Sequence, residues 1–172
     1  MIERYLPAIC GFAALLLTLC VLPGCGYSTT ELFPEKYATV SLPLFENRTF
    51  YRDVESDLGE ALAKELEQRS PYKIVNPAAA DTELTGTIHR VEQRMLSRTA
   101  DTGIPQELEV SVWIDFAWKD LRTGDVITDR RGYEQVGRYI PAAGVGEPFE
   151  VAQHAAVQRL ARDVVSALRG GW

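Results

Sequence analysis

Cys25 is the residue of this sequence with the clearest chemical potential, because it directly follows an apolar segment near the N-terminus. The segment, residues 9–22, has the length expected of the hydrophobic region of an export signal. It is short for a membrane-spanning helix, which needs about 20 apolar residues. Gly24 supplies the small residue that a cleavage site requires. The sequence therefore predicts a signal peptide over residues 1–24 and a processed chain that starts at Cys25.

The tetrapeptide Leu22-Pro23-Gly24-Cys25 resembles the lipobox of bacterial lipoproteins. The resemblance implies diacylglycerol on the Cys25 thiol, removal of the signal and acylation of the new amino group. Three acyl chains would hold the protein on a membrane, since a single chain binds only marginally. The other cysteines, Cys10 and Cys20, would leave with the signal, so no disulfide or cysteine metal site is expected. The alternative is an ordinary signal peptide followed by an incidental cysteine.

Six arginines in the second half of the chain could bind an anionic group, because a guanidinium pairs bidentately with phosphate. They are Arg90, Arg94, Arg98, Arg130, Arg131 and Arg138. The first three share one face of a predicted strand if that strand stays regular beyond Ile88, since side chains alternate with a period of two. The last three are expected to add to the same end of the sheet. The alternative is that these arginines form ordinary cross-strand ion pairs with Glu92, Glu107 or Glu109.

The remaining composition argues against catalysis and against nucleic acid as a partner. The formal net charge is -6, whereas phosphate-backbone binding needs a basic face. The two histidines, His89 and His154, are far apart and lack cysteines or patterned carboxylates nearby, so no metal site is predicted. The sequence contains no nucleophile-elbow, Walker or dinucleotide-binding motif. We therefore expect a protein that is not an enzyme and carries no cofactor.

The elements that position these residues begin with a β-rich segment, residues 37–45. From Asp53, a candidate helix cap, apolar residues recur every four positions until Ser70-Pro71 ends the pattern. A short apolar strand, residues 72–75, follows.

Three long strands are then predicted, with Gly86 as a possible bulge and Gly124 in the turn of a hairpin. Pro148 opens a final helix. The strands span residues 83–97, 106–119 and 126–138. The middle one alternates most clearly, with apolar residues on one face and mostly polar residues on the other.

This order of elements predicts an α+β fold. Two helices would pack on one face of a mostly antiparallel four-stranded sheet, forming a single-domain sandwich. Residues 25–36 would form a lipidated tether and residues 37–172 the α+β domain.

Three further motifs together resemble the lipopolysaccharide-assembly lipoprotein family, of the LptE type. They are Cys25-Gly26-Tyr27, the segment Val-Ser-Leu-Pro-Leu-Phe-Glu-Asn-Arg-Thr at 40–49, and the pattern Leu58-x-x-Ala61-Leu62-x-x-Glu65-Leu66. The similarity spans nearly the whole processed chain. It implies an outer-membrane lipoprotein that faces the periplasm, plugs and helps assemble the β-barrel lipopolysaccharide translocon, and assists lipopolysaccharide transport to the cell surface.

The resemblance also gives the candidate residues partners. Cys25 would join the outer-membrane lipid, and the six arginines would contact the phosphorylated head of lipopolysaccharide. Trp113 and Tyr133, expected on the exposed sheet face, would contact the barrel, since aromatic residues are enriched at interfaces. The alternative for Trp113 is packing under the protein's own loops.

A second resemblance competes with the first. The segment at 42–49 is also similar to periplasmic lipoproteins that activate a peptidoglycan synthase or form a curli-type secretion component. Those proteins share an α+β build, so the binding partner distinguishes the two functions.

Overall fold

Two helices and six strands follow one another in the computed structural model, which describes residues 33–98, 105–140 and 149–169. The first half contains β1 (Thr39–Ser41), β2 (Glu46–Asn47), α1 (Val54–Arg69), β3 (Lys73–Ile74) and a 3-10 turn (Pro77–Ala79). The second half contains β4 (Thr82–Arg98), β5 (Pro105–Asp120), β6 (Val126–Tyr139) and α2 (Phe149–Ala167). The two helices and the three long strands confirm the predicted elements. Pro148, predicted to open α2, and the tether lie outside the described residues.

The sheet is mixed and six-stranded, with the order β3-β1-β4-β5-β6 and with β2 also paired to β4. β1 runs parallel to β3 and β4, whereas β4, β5 and β6 are antiparallel. The α+β class is therefore confirmed, but the prediction of a mostly antiparallel four-stranded sheet is wrong. Helix α1 is a crossover, so the strands that it connects lie parallel. Within residues 37–45 only Thr39–Ser41 forms a strand, β1, which ends before Pro43, a residue with no N–H to donate; β2 begins after this segment, at Glu46.

The core lies between the two helices and one face of β5. Alternate residues of β5, Leu108, Val110, Val112, Ile114, Phe116 and Trp118, are buried, as their spacing predicts. The same hydrophobic cluster contains the apolar stripes of both helices, including Leu62 and Leu160. The helices also contact each other, and α2 packs on β5 and β6. The other face of the sheet carries no helix among the described residues.

Two glycines mark places where backbone and side chains approach too closely for a Cβ. At Gly137 of β6, a Cβ would overlap the backbone carbonyl of Ala152 in α2. At Gly86 of β4, a Cβ would overlap the ring of Phe45. Gly86 therefore makes room for a core side chain, and the prediction that it marks a bulge is wrong, because the register shifts between Ile88 and Arg90 instead.

The turn before α1 is held by hydrogen bonds of Asn47 and not by a side-chain cap from the N-cap residue. Asp53 occupies the N-cap with a left-handed φ of 65°, and its side chain makes no capping hydrogen bond, so its predicted capping role is wrong. The amide of Asn47 donates to Glu55 Oε2 at 2.7 Å, and its carbonyl oxygen accepts from the Thr49 backbone N–H at 2.9 Å. In the turn between β5 and β6, Gly124 adopts the positive φ that the sequence predicts, 79°.

The buried carboxylate of Asp120 ties the N-terminal segment to the β5–β6 hairpin. Its side chain is only 1% exposed and accepts hydrogen bonds from Lys36 Nζ at 2.9 Å and Tyr37 Oη at 3.1 Å. Its other oxygen accepts from the backbone N–H groups of Arg122 and Thr123. The Lys36 hydrogen bond and these backbone donors hold the pKa of Asp120 well below its usual range, against the opposing effect of burial.

Candidate anion-binding site

A β-bulge at His89 decides which way the arginines of β4 point. Before it, Ile88 lies opposite Ile114 on the core face. After it, Arg90 lies opposite Trp113, so the alternation is shifted by one residue. Arg90 therefore lies on the helix-free face, and uninterrupted pairing from Arg90 to Met95 keeps Arg94 on that face too. Along the strand their Cα atoms are about 13 Å apart.

The closest grouping of charges on this face is a row across three strands. Glu109 of β5 lies opposite Arg94 of β4 on one side and opposite Arg138 of β6 on the other. Arg138 Nε donates to Glu109 Oε2 at 3.3 Å, and the Glu109 side chain is only 10% exposed. Arg94 is exposed and makes no ion pair with any described residue. We call Arg94, Glu109 and Arg138 the charged row.

Arg90 stands beside the charged row and lies over an aromatic ring. Its guanidinium carbon is 5.2 Å from the ring centroid of Trp113, a cation–π distance. Its Nη1 is 3.5 Å from Glu92 Oε1, and both of these side chains are exposed. Ser111, buried between Trp113 and Glu109 on β5, separates the two rows. The face thus presents two arginines on either side of the largely buried Glu109, and a third, Arg90, about 13 Å farther along β4 and paired with Glu92.

The other three candidate arginines do not join this group. Arg98 is exposed and lies opposite Pro105, after two further irregularities of register. Arg130 lies opposite the core residue Phe116, on the helix side of the sheet. Arg131 is exposed and 3.8 Å from Asp129. Arg130 and Arg131 are roughly 25 Å along β6 from Arg138, so the expectation that they share an end of the sheet does not match the register.

The two aromatic candidates lie on opposite faces of the sheet. Trp113 is half-buried on the helix-free face, beneath Arg90. Tyr133 lies on the helix side, where its ring meets that of Phe116 edge-on at 5.7 Å. Burial raises the pKa of Tyr133, and the nearby carboxylate of Asp163 raises it further. One flat contact surface therefore cannot include both rings.

Ion pairing, the alternative for the arginines, is present in part. Arg138 pairs with Glu109 across strands, and Arg90 pairs with Glu92 within β4. Sequence reasoning treated Glu109 only as one of three possible partners and missed its central position between two arginines. The hairpin turn at 120–125 was the available signal, because a turn fixes which residues of its two strands lie opposite each other.

Other kinds of site receive no support from the described part of the chain. Within residues 33–98, 105–140 and 149–169, no three His, Cys, Asp or Glu side chains are grouped as a metal would require. Neither described helix has the length and apolarity needed to cross a bilayer. Cys25, the predicted lipidation site, lies outside the described residues.

The architecture, two helices over one face of a mixed sheet with a long antiparallel hairpin, is that of several small α+β proteins with solved structures. The PelC dodecamer of Paraburkholderia phytofirmans has a TM-score of 0.52 and 17% identity, covering 80% of this chain and 93% of that one. A hypothetical protein of Chlamydia trachomatis has a TM-score of 0.53 and 12% identity, covering 78% and 96% respectively. At such identities the likeness shows the fold alone.

The sequence itself identifies the family. The profile of LptE, the lipopolysaccharide-assembly family, matches residues 37–168. This chain therefore belongs to the LptE lipopolysaccharide-assembly family, as its motifs predicted. No curated protein matches the sequence significantly.

Proposed function

We propose that this protein is a lipid-anchored, non-enzymatic component of the lipopolysaccharide translocon on the periplasmic side of the outer membrane. Residues 1–24 act as the signal peptide, Cys25 carries the lipid, residues 25–36 form the tether and residues 37–172 form the assembly domain. The domain plugs and helps assemble the β-barrel translocon and assists the passage of lipopolysaccharide. Membership of the LptE family supports the general role.

The observation that carries the proposal is the group of cations on the helix-free face. Arg90 and Arg94 extend from β4 and Arg138 from β6, the two strands that flank β5, although the protein as a whole has a net charge of -6. The backbones of Arg94 and Arg138 are about 10 Å apart, two strand spacings. Long arginine side chains can converge from that separation on one phosphorylated head group.

Charge reversal of two of these arginines tests the proposal. The full chain, purified in detergent with Arg90→Glu plus Arg94→Glu, should bind lipopolysaccharide at least about tenfold more weakly than the wild type. Each charge-assisted hydrogen bond contributes about 1.5–3 kcal/mol, so loss of one or two produces an effect of this size. Its binding should also depend less on salt, because screening acts on the lost charges. Affinity is measured by titration at two salt concentrations.

The matched control is Lys119→Glu plus Arg131→Glu, which makes the same change of charge elsewhere. Lys119 and Arg131 line a shallow groove toward the hairpin end of the sheet, away from the charged row. This control should retain near-wild-type affinity. Equal affinity of wild type and the Arg90/Arg94 variant, with both folded by circular dichroism, would remove these arginines from the lipid site.

A further inference from the structure

Glu109 is an acidic side chain that lies between Arg94 and Arg138. Its negative charge does not by itself favour the binding of an anion there. Its carboxylate is largely buried and accepts a hydrogen bond from Arg138. Burial of a carboxylate costs free energy unless a cation compensates it. The pairing therefore holds the guanidinium of Arg138 at a fixed place on the helix-free face, while Arg94 lies on the opposite flank of Glu109 without an ion pair among the described residues.

A phosphate group and the Glu109 carboxylate have the same chemistry toward Arg138. Both are anions that accept hydrogen bonds from one edge of a guanidinium. A phosphate that approaches Arg94 and Arg138 also approaches Glu109 and is repelled by its charge. For unit charges about 7 Å apart, even with the dielectric constant of water, about 80, this repulsion corresponds to roughly a threefold loss of affinity.

We propose that Glu109 is a built-in competitor for the anion site. A phosphate of lipopolysaccharide first meets Arg94 and then displaces the Glu109 carboxylate from Arg138, so that one ion pair replaces another. The exchange keeps the arginine ordered in the empty site and limits the net gain on binding, which suits a site that must release its ligand. This inference rests on the proposed function, because it specifies how the same site tunes its affinity.

The experiment uses Glu109→Gln in the full chain in detergent, since glutamine keeps the size and the acceptor oxygen while removing the charge. We expect it to bind lipopolysaccharide about threefold to tenfold more tightly than wild type, with the larger difference at low salt. Chemically dephosphorylated lipopolysaccharide is the second probe. The variant should bind this probe no more tightly than wild type does.

The matched control is Glu134→Gln. Glu134 is exposed on β6 and lies opposite Trp113, so it is on the same face as Glu109 but in the row of Arg90 and Trp113, with Ser111 between the two rows. Its neutralisation changes the net charge equally. We expect a smaller gain of affinity than from Glu109→Gln, since among the described residues Arg138 forms its ion pair with Glu109 and not with Glu134.

A double-variant cycle separates competition from a purely structural role. If Glu109 competes for Arg138, then Glu109→Gln should increase affinity less when Arg138 is already glutamine, and the two effects should be non-additive. If Glu109 had a structural role alone, Glu109→Gln would change the thermal stability but not the affinity for lipopolysaccharide.

Unchanged or weaker binding by folded Glu109→Gln would overturn the competitor role, as would equal gains from Glu109→Gln and Glu134→Gln. These results leave the proposed function in place if wild type binds lipopolysaccharide in an arginine- and phosphate-dependent manner. Failure of the wild type itself to bind lipopolysaccharide would overturn both.

Discussion

At the scale of single residues, two carboxylates on β5 differ in role because they differ in the number of their hydrogen-bond partners. Asp120, at the end of the strand, is saturated by Lys36, Tyr37 and two backbone N–H groups. Glu109, near the start of the strand, has one hydrogen-bonded partner among the described residues, Arg138. A saturated carboxylate stabilises the fold, whereas one with a single exchangeable partner can give that partner to a ligand.

The first prediction concerns Asp120 and pH. Because the folded state lowers the pKa of Asp120, the ionised group stabilises the protein above its unfolded pKa, about 3.9, and this stabilisation is lost as the pH falls toward the folded value. Asp120→Asn should therefore lower the melting temperature at pH 7, and the difference from wild type should shrink at pH 3. Thermal unfolding at the two pH values measures it.

The control for this prediction is Asp125→Asn, which removes an exposed carboxylate from the same turn. It should change the melting temperature little at either pH. A difference between Asp120→Asn and wild type that stays constant from pH 7 to pH 3 would contradict the stabilising role of the ionised carboxylate.

At the scale of elements, the packing of α2 on β6 depends on the absence of one side chain. Gly137→Ala should destabilise the protein by about 1–3 kcal/mol, because its Cβ would overlap the Ala152 carbonyl and push the helix off the sheet. Gly59→Ala is the matched variant inside α1. Its Cβ would meet only Leu44 at 3.5 Å, an ordinary contact, so it should stabilise by about 0.5–1 kcal/mol. In urea unfolding, the free energy of unfolding should fall for Gly137→Ala and rise for Gly59→Ala. Changes of the same sign in both variants would contradict this packing.

Periodicity predicted the helices and long strands because each buries one regular face. Among the short strands, β3 was predicted as an apolar segment, residues 72–75, but its parallel pairing was not. β2 was not predicted, because two residues are too short to show a period. The parallel pairing follows from the crossover through α1. The sheet therefore came out mixed rather than mostly antiparallel.

The candidate site was predictable only in part, for a reason located at His89. Regular alternation from Leu84 through Ile88 would have placed Arg90 on the core face, and the bulge moves it to the other face. No residue type in the sequence signals a bulge at that position. A second irregularity, between Ile114 and Phe116 on β5, separates Arg130 from Arg138 in the same way. The residue types thus predicted that arginines could bind an anion. Two single-residue shifts of register decided which of these arginines share a face of the sheet.

At the scale of the whole molecule, the lipid anchor and the sheet have separate roles. Cys25→Ala should move the protein from the membrane fraction to the soluble or unprocessed fraction, because acyl chains on this residue provide the attachment in our proposal. Fractionation followed by immunoblotting measures the shift. Full membrane retention of a correctly processed alanine variant would contradict lipidation at Cys25, while a shift without loss of folding would support it.

The central claim is that the anchored domain works with the lipopolysaccharide translocon, and identification of the protein that co-purifies with it after mild detergent extraction tests this most directly. We expect one large outer-membrane β-barrel in stoichiometric amount, and a lower level of assembled barrel after depletion of this protein. Recovery of a peptidoglycan synthase, or of copies of this chain alone in a pore-like ring, with the barrel level unchanged on depletion, would contradict the account.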